Sequence, residues 1–238
     1  MGCMKFIGHL DVMRYFQKAV KRAGIDIAYS EGYNPHQKMS FASPLGIGLT
    51  SIGEYMDIEI KSFIPSKEAV NRLNAEMVDG ISVTEFKYLP DNAKNAMSSI
   101  EAAEYYVAEK NEYIDQLLPP LSDFQQLCEN FFSQEEIIVT KETKKGETTF
   151  DLKPYVFDWE VALLPIDHKT LLSLIVKAGS ETNIKPEFVL SQILKFGNIT
   201  ADLSKFHYHR VDLYTMINNE YISLGDIGKN ANQEADFN

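Results

Sequence analysis

Helix-like and strand-like segments alternate in the same order twice along this chain of 238 residues. "EYMDIEI" alternates apolar and polar residues as a half-buried strand does, whereas "DVMRYFQKAVKRAG" repeats its apolar residues at helical spacing and ends at a glycine. Each half has the order strand, helix, strand, strand, helix, strand, and the first half has one extra strand-like segment. This order predicts an α+β fold of two tandem ferredoxin-like (βαββαβ) units with antiparallel sheets.

Changes in composition divide the chain into two units, a linker and a tail. The first unit takes residues 1–90, with predicted strands at residues 3–7 and in "IDIAYS", "KMSFAS", "EYMDIEI" and "ISVTEFKYL". Small and polar residues at 91–100 predict a linker, and residues 101–224 form the second unit. Residues 225–238, "GDIGKNANQEADFN", are predicted to be a disordered tail.

The apolar segments are all shorter than the ~18 residues that a bilayer-spanning helix needs. The N-terminus also lacks the basic-then-apolar pattern of a secretion signal. We therefore expect a cytoplasmic protein that makes no membrane contact.

Charge is distributed unevenly along the chain, whose net charge is -11. Residues 1–38 hold six basic against three acidic side chains, and the remaining residues hold 17 basic against 31 acidic ones. The acidic majority argues against nonspecific nucleic-acid binding by the whole surface, because phosphates would be repelled. The basic N-terminal segment is the part of the chain that suits an anionic ligand.

The first predicted helix carries basic residues opposite its apolar face. Arg14, Lys18 and Arg22 follow at i, i+4 and i+8, so like charges stack on one side. Each such pair opposes helix formation by roughly 0.2–0.5 kcal/mol, and an anionic ligand would relieve that repulsion. The alternative is a solvated face whose long side chains extend into water.

The loop "EGYNPHQK" has the composition of a binding loop. Gly32 permits unusual backbone angles, and Pro35 stiffens the chain and holds Asn34 extended. Aromatic rings interleaved with cations suit a single-stranded RNA or a nucleotide, whereas the alternative is an ordinary hairpin loop. The candidate ligand- or RNA-binding residues are His9, Arg14, Lys18, Arg22, Tyr29, Tyr33, Asn34, His36, Lys38 and Phe41.

The sequence contains no G-x-S-x-G elbow, P-loop or dinucleotide-binding glycine motif. The candidates for a catalytic role are His36 and His9 as acid–base groups, and Asp11 as the one nearby carboxylate for a nucleophile. These residues do not form a recognisable catalytic set, so the catalytic residues stay undetermined. We expect no catalytic activity from this chain alone.

Metal ligands are also scarce. The two cysteines, Cys3 and Cys128, are too few for an iron–sulfur cluster or a thiolate zinc site, and Cys128 is predicted to be a core residue of a helix. His207 and His209 share one face of a predicted strand, but no carboxylate or thiol at suitable spacing completes a ligand set. We expect this chain to bind no metal and no cofactor.

Several motifs resemble one known bacterial family. They include Gly8-His9-Leu10-Asp11, Tyr29-Ser30-x-Gly32-x-Asn34-Pro35-His36, Gly53-Glu54-Tyr55, Thr143-Lys144-Lys145-Gly146 and Gly179-Ser180-Glu181. Over residues 4–215 the chain is similar to the radical-SAM-linked proteins, a family of unknown function. It departs from their pattern at Gln37, where a second proline is missing, and in a short segment before Lys5. The resemblance implies a radical-SAM protein as partner, which would itself use S-adenosylmethionine and an iron–sulfur cluster.

Three hypotheses for function follow from the residues and the resemblance together. The first is an accessory module that binds RNA, either tRNA or rRNA, and presents it to the radical-SAM partner. The second is an RNA-acting enzyme of the tandem ferredoxin-like type, either an endonuclease or similar to a pseudouridine synthase. The third is a protein-interaction module that has no affinity for RNA.

Overall fold

A computed structural model describes residues 3–110, 117–143, 146–165 and 168–233, except the side chains of Cys3, Met4 and Thr143. These residues divide into two compact units, of which the second is Glu101–Leu213. The first unit consists of the chain up to Ile100 together with the segment from Tyr214 onward. The strands in both units pair antiparallel, so the α+β fold class with antiparallel sheets is confirmed.

The first unit is built on helices α1 (His9–Arg22) and α2 (Ser66–Asn74), with the short strands β1 (Met39–Phe41), β2 (Thr50–Ser51) and β3 (Met56–Ile58). A single turn, α3 (Ala96–Ser99), ends this part of the unit. The core joins the apolar stripes of the two long helices to residues around the strands. Its buried members are Val20, Ala23, Ile25, Ile27, Ile64, Ala69 and Leu73.

Three of the strands predicted for the first unit are not continuous strands. Residues 3–7 were expected to pair in a sheet, but Cys3–Phe6 forms a 3-10 helix. "IDIAYS" and "ISVTEFKYL" contribute isolated bridges, Ile27 with Ile60 and Tyr88 with Lys229. Apolar alternation shows which side of a segment is buried, but it does not show whether a neighbouring strand is available for pairing.

The segment "ISVTEFKYL" is held to α2 by a side chain. The Asn74 Nδ2 group donates to the Val83 carbonyl at 2.8 Å, and the Val83 amide donates to Asn74 Oδ1 at 2.8 Å. Val83 and Phe86 pack on the core of the unit. The side-chain amide therefore supplies the backbone with the hydrogen bonds that a paired strand would otherwise make.

Asn74→Ala is expected to lower the free energy of opening at the Val83 amide by about 1 kcal/mol, because hydrogen bonds of this type contribute about that much. Native-state hydrogen exchange at Val83 measures this change directly. Asn71→Ala, an exposed position on the same helix, is the matched control and should leave the exchange rate unchanged. Equal exchange rates in the two variants would contradict the prediction.

The second unit contains one four-stranded sheet with a separate hairpin. Its elements are β4 (Ala102–Glu109), α4 (Leu121–Phe132), the hairpin of β5 (Ile138–Thr143) and β6 (Gly146–Asp151), β7 (Val156–Leu163), β8 (Thr170–Lys177), α5 (Pro186–Phe196) and β9 (Phe206–Ile217). Within the second unit, which includes β9 only as far as Leu213, the strand order is β9-β4-β8-β7. The predicted tip of the hairpin, Lys144 and Lys145, lies outside the described residues.

The core of the second unit follows the predicted helix faces. Phe124, Cys128 and Phe131 of α4 are buried, as are Val189 and Ile193 of α5. Burial and the neighbouring Glu129 carboxylate raise the pKa of the Cys128 thiol to about 12, so the prediction of a core cysteine is confirmed. Within the described ranges, no helix is both long and apolar enough to cross a membrane.

The C-terminal segment returns to the first unit. Asn218 and Asn219 both have positive φ angles and connect residues 214–217 of β9 to β10 (Glu220–Ser223). In a type I′ turn, whose twist matches that of the flanking strands, both central residues have positive φ angles, and Asn tolerates such angles well. The sequence signal for this hairpin is the pair of asparagines between Ile217 and Glu220, which the strand prediction did not use.

Residues 225–233 were predicted to belong to a disordered tail, but the structure anchors them. The Ser66 amide donates to the Ala231 carbonyl at 2.8 Å, and the Ala231 amide donates to Ser66 Oγ at 3.0 Å. Ala231 is buried, and the Tyr88 and Lys229 backbones exchange hydrogen bonds. Composition does not reveal this anchoring, because all but one of these bonds join backbone groups, which every residue has. Residues 234–238 lie outside the described part of the chain.

Candidate functional site

Helix α1 presents a row of cations to solvent. Arg14, Lys18, Lys21 and Arg22 are exposed, while Ala19 and Val20 on the opposite side are buried. Lys18 and Lys21 have no ion-pair partner within the part of the chain that the structure describes. Lys21 was not among the candidate residues, although its position three residues after Lys18 indicates that the two side chains are neighbours.

The other two cations of the row are paired with carboxylates. Arg14 donates to Asp11 at 3.2 Å one turn earlier on the helix. Arg22 Nε donates to Glu76 Oε2 at 2.6 Å, just after α2. The side chains of Arg14 and Arg22 are 70% and 48% exposed, and exposed ion pairs contribute only about 0–1 kcal/mol. A phosphate can therefore replace either carboxylate at low cost.

The loop between residues 28 and 38 is a hairpin with an exposed tip. Lys38 N donates to Ala28 O, Ser30 N donates to His36 O, and His36 N donates to Ser30 Oγ. The tip turns at Gly32, whose φ of 113° is in the region that favours glycine. The tip residues Tyr33, Asn34 and His36 are all exposed.

Two further residues of the hairpin are held at its base. Lys38 Nζ donates to both carboxylate oxygens of Glu59 at 2.9 Å, and Tyr29 OH accepts from Gln37 Nε2 at 3.5 Å. Gln37 Oε1 is buried, and it has no hydrogen-bond partner among the described residues. The sequence marked Gln37 only as a departure from the family pattern.

Phe41 does not have the role that was predicted for it. It is only 8% exposed, and the edges of the His9 and Phe16 rings lie against it, with centroids 5.4 and 5.5 Å away. A nucleotide base cannot stack on a ring that is enclosed in this way, so Phe41 is a packing residue. Its contact with His9 ties the start of α1 to β1.

Six of the predicted site residues thus lie in an exposed row on α1 or at the exposed hairpin tip, whereas Phe41 is buried and His9 is half-buried: the six are Arg14, Lys18, Arg22, Tyr33, Asn34 and His36. The structure brings His9 against Phe41, and it places Tyr33 near Asn34 and His36 along the chain. Arg22 and His9 lie at opposite ends of α1, which at 1.5 Å per residue separates them by about 20 Å. The arrangement suits an extended anionic chain better than a compact ligand.

The catalytic and metal-ligand candidates do not come together in one cluster among the residues that the structure describes. In the part of the chain that is described, no three His, Cys, Asp or Glu residues are close enough together to hold a metal ion. Asp11, the candidate nucleophile, is exposed and accepts a hydrogen bond from Arg14. His209 lies on β9, where burial lowers the pKa of its imidazole.

Two comparisons with known proteins bear on identity. A family model described as "Uncharacterized protein conserved in bacteria" (DUF2344) matches residues 1–186, which include all the candidate site residues. None of the curated proteins matches the chain.

Proposed function

The chain belongs to the DUF2344 family, and we propose that it is a binding protein that holds single-stranded RNA along α1 and the hairpin tip. In this proposal the protein is an accessory to a radical-SAM partner and presents tRNA or rRNA to it. The observation that carries the proposal is the row of exposed cations on α1, two of which are without an ion-pair partner among the described residues.

The row supports contacts with successive phosphates of one strand. Residues four apart on a helix are separated by about 6 Å along its axis, so Arg14, Lys18 and Arg22 offer a charge at each turn. The carboxylates of Asp11 and Glu76 pair with the two arginines, and phosphates of the RNA would take their place. Electrostatic attraction of this kind is sequence-independent and depends strongly on salt.

The hairpin tip supplies groups that can stack on bases and hydrogen-bond to them, which the cations of α1 do not supply. The Tyr33 ring is fully exposed and can stack on any base, while the Asn34 amide and the His36 imidazole can hydrogen-bond base edges. Single-stranded RNA is recognised in this way because its unstacked bases are accessible.

The radical-SAM partner and the tandem ferredoxin-like arrangement are also proposals. The partner is supported by the motif resemblance, and two cysteines in the whole chain are too few to ligate a cluster. The tandem ferredoxin-like arrangement is supported by the second unit. Without the hairpin of β5 and β6, its elements follow one another along the chain in the order βαββαβ, and its strands lie side by side in the order β9-β4-β8-β7.

Lys18→Ala is expected to weaken the binding of a fluorescein-labelled single-stranded RNA about fivefold at ~0.1 M salt, because one phosphate contact is lost. The slope of log K against log salt should fall by about 0.7. Fluorescence anisotropy over a salt series measures both quantities. Lys67→Ala, an exposed lysine at the start of α2, is the matched control and should change neither.

Equal loss of affinity in the two variants would show that RNA binds by overall charge and not at α1. If the wild-type protein and both variants all failed to bind the RNA, the proposal as a whole would be overturned. Incubation of the purified protein with total tRNA tests the accessory role, since cleavage or base modification would require an enzyme instead.

A further inference from the structure

The four-stranded sheet of the second unit has two unlike faces. The even-numbered residues of β8, from Thr170 to Val176, are buried, whereas the odd-numbered ones, from Leu171 to Lys177, are half-exposed. The buried face packs on α4, whose Phe132 ring stacks on Trp159 of β7 with centroids 5.0 Å apart. Among the described residues of the second unit, no further helix is left to cover the other face, because α5 also buries its apolar side in the core.

The open face contains a groove that runs across three strands. Residues directly opposite each other in antiparallel strands lie on the same face, so the register defines rows of neighbouring side chains. The groove has a volume of ≈ 330 Å³. Its two central rows are Glu104–Ile175–Asp158 and Tyr106–Ser173–Glu160.

The chemistry of the groove is apolar along its floor and acidic at its sides. Ile175 and Leu171 of β8, with Ala162 of β7, form an aliphatic floor beside the exposed Tyr106 ring. The carboxylates of β4 and β7 stand on either side of β8, and no Lys, Arg or His is among the lining residues. A solvated sheet face would be polar throughout, and this one is not.

The groove favours one class of occupant. Its carboxylates repel phosphate, which excludes RNA, and among the described residues no three His, Cys, Asp or Glu side chains are grouped so that they could hold a metal ion. A sheet face with apolar side chains is ordinarily covered by a layer of helix. A helix with an apolar stripe between basic residues matches both the floor and the sides.

We propose that the groove on the open face of the second unit's sheet is a docking site for a basic amphipathic helix of another protein. The helix α1 of a second copy is a poor occupant, because its apolar stripe is already buried in the first unit. The proposal does not depend on RNA binding, which involves only residues of the first unit.

The test uses the full chain and a synthetic helical peptide of leucine and lysine, with a leucine and glutamate peptide of the same pattern as the control ligand. We expect the lysine peptide to bind, and its amide perturbations in NMR spectra to centre on β4, β8 and β7. The double variant Asp158→Asn/Glu160→Gln should weaken binding about tenfold, because two charge pairs are lost at a partly desolvated interface. The matched control is Glu142→Gln/Glu147→Gln, an exposed pair on the hairpin of β5 and β6.

A second variant tests the groove without removing its carboxylates. Ser173→Arg places a long cation at the centre of the floor and should abolish binding, while circular dichroism checks that the fold is kept. The proposal would be overturned if Asp158→Asn/Glu160→Gln and its control Glu142→Gln/Glu147→Gln weakened peptide binding equally. It would also be overturned if the NMR amide perturbations were spread over other acidic surfaces. Sedimentation that shows self-association through this face, lost in Ser173→Arg, would assign the groove to a second copy instead.

Discussion

Replacing Tyr33 with alanine is expected to weaken the binding of single-stranded RNA by about 1–3 kcal/mol, or about 5- to 150-fold, because a base loses its stacking surface. Tyr33 is the most exposed aromatic side chain among the described residues of the first unit, and the hairpin holds it at the tip without burying either face of the ring. Fluorescence anisotropy with an oligouridylate measures the change.

Two controls separate stacking from other roles of Tyr33. Tyr33→Phe keeps the ring and should bind as the wild-type protein does, since the hydroxyl is not needed for stacking. Tyr106→Ala removes an exposed tyrosine of the second unit and should leave RNA affinity unchanged. If Tyr33→Phe bound as weakly as Tyr33→Ala, a hydrogen bond through the hydroxyl would replace stacking as the explanation.

Replacing Phe124 with alanine is expected to lower the unfolding free energy of the second unit by about 3–5 kcal/mol, because the deletion leaves a cavity in a closed core. Phe124 has no exposed surface and lies on the buried face of α4 with Cys128 and Phe131. The loss is a large share of the roughly 5–15 kcal/mol by which a domain is stable.

The single tryptophan makes this measurement specific. Trp159 is the only tryptophan of the chain, and it stacks on Phe132 of α4, so its fluorescence during urea unfolding reports on the second unit. Phe196→Ala is the matched control, because that ring at the end of α5 is 42% exposed and its removal leaves little cavity. Equal midpoint shifts in the two variants would contradict the assignment of Phe124 to the core.

The helices were predictable because their evidence is local. On α4 the spacing of Phe124, Cys128 and Phe131 defined the buried face, and Pro186 defined the start of α5. The spacing of Leu10 continues the apolar stripe of α1, but the Leu10 side chain is 70% exposed. Whether a residue near a helix end is buried depends on what lies beyond that end, which periodicity does not contain.

For the candidate site, the sequence indicated which side chains are exposed, except for Phe41. The cations of α1 and the residues of the hairpin tip are exposed as a binding surface requires, and the charge pattern alone indicated them. Their partners were not predictable. Glu76 reaches Arg22 and Glu59 reaches Lys38 from distant parts of the sequence, and Phe41 is enclosed by rings from α1.

The sequence by itself determined which residues form helices, which faces of them are apolar, and where basic charge is concentrated. Each of these is a property of neighbours along the chain. Only the tertiary structure decided which extended segments found a pairing partner, which cations met a carboxylate, and that residues 225–233 return to α2. Such contacts join residues far apart in sequence through backbone groups or single side chains, so they leave no periodic pattern in the sequence.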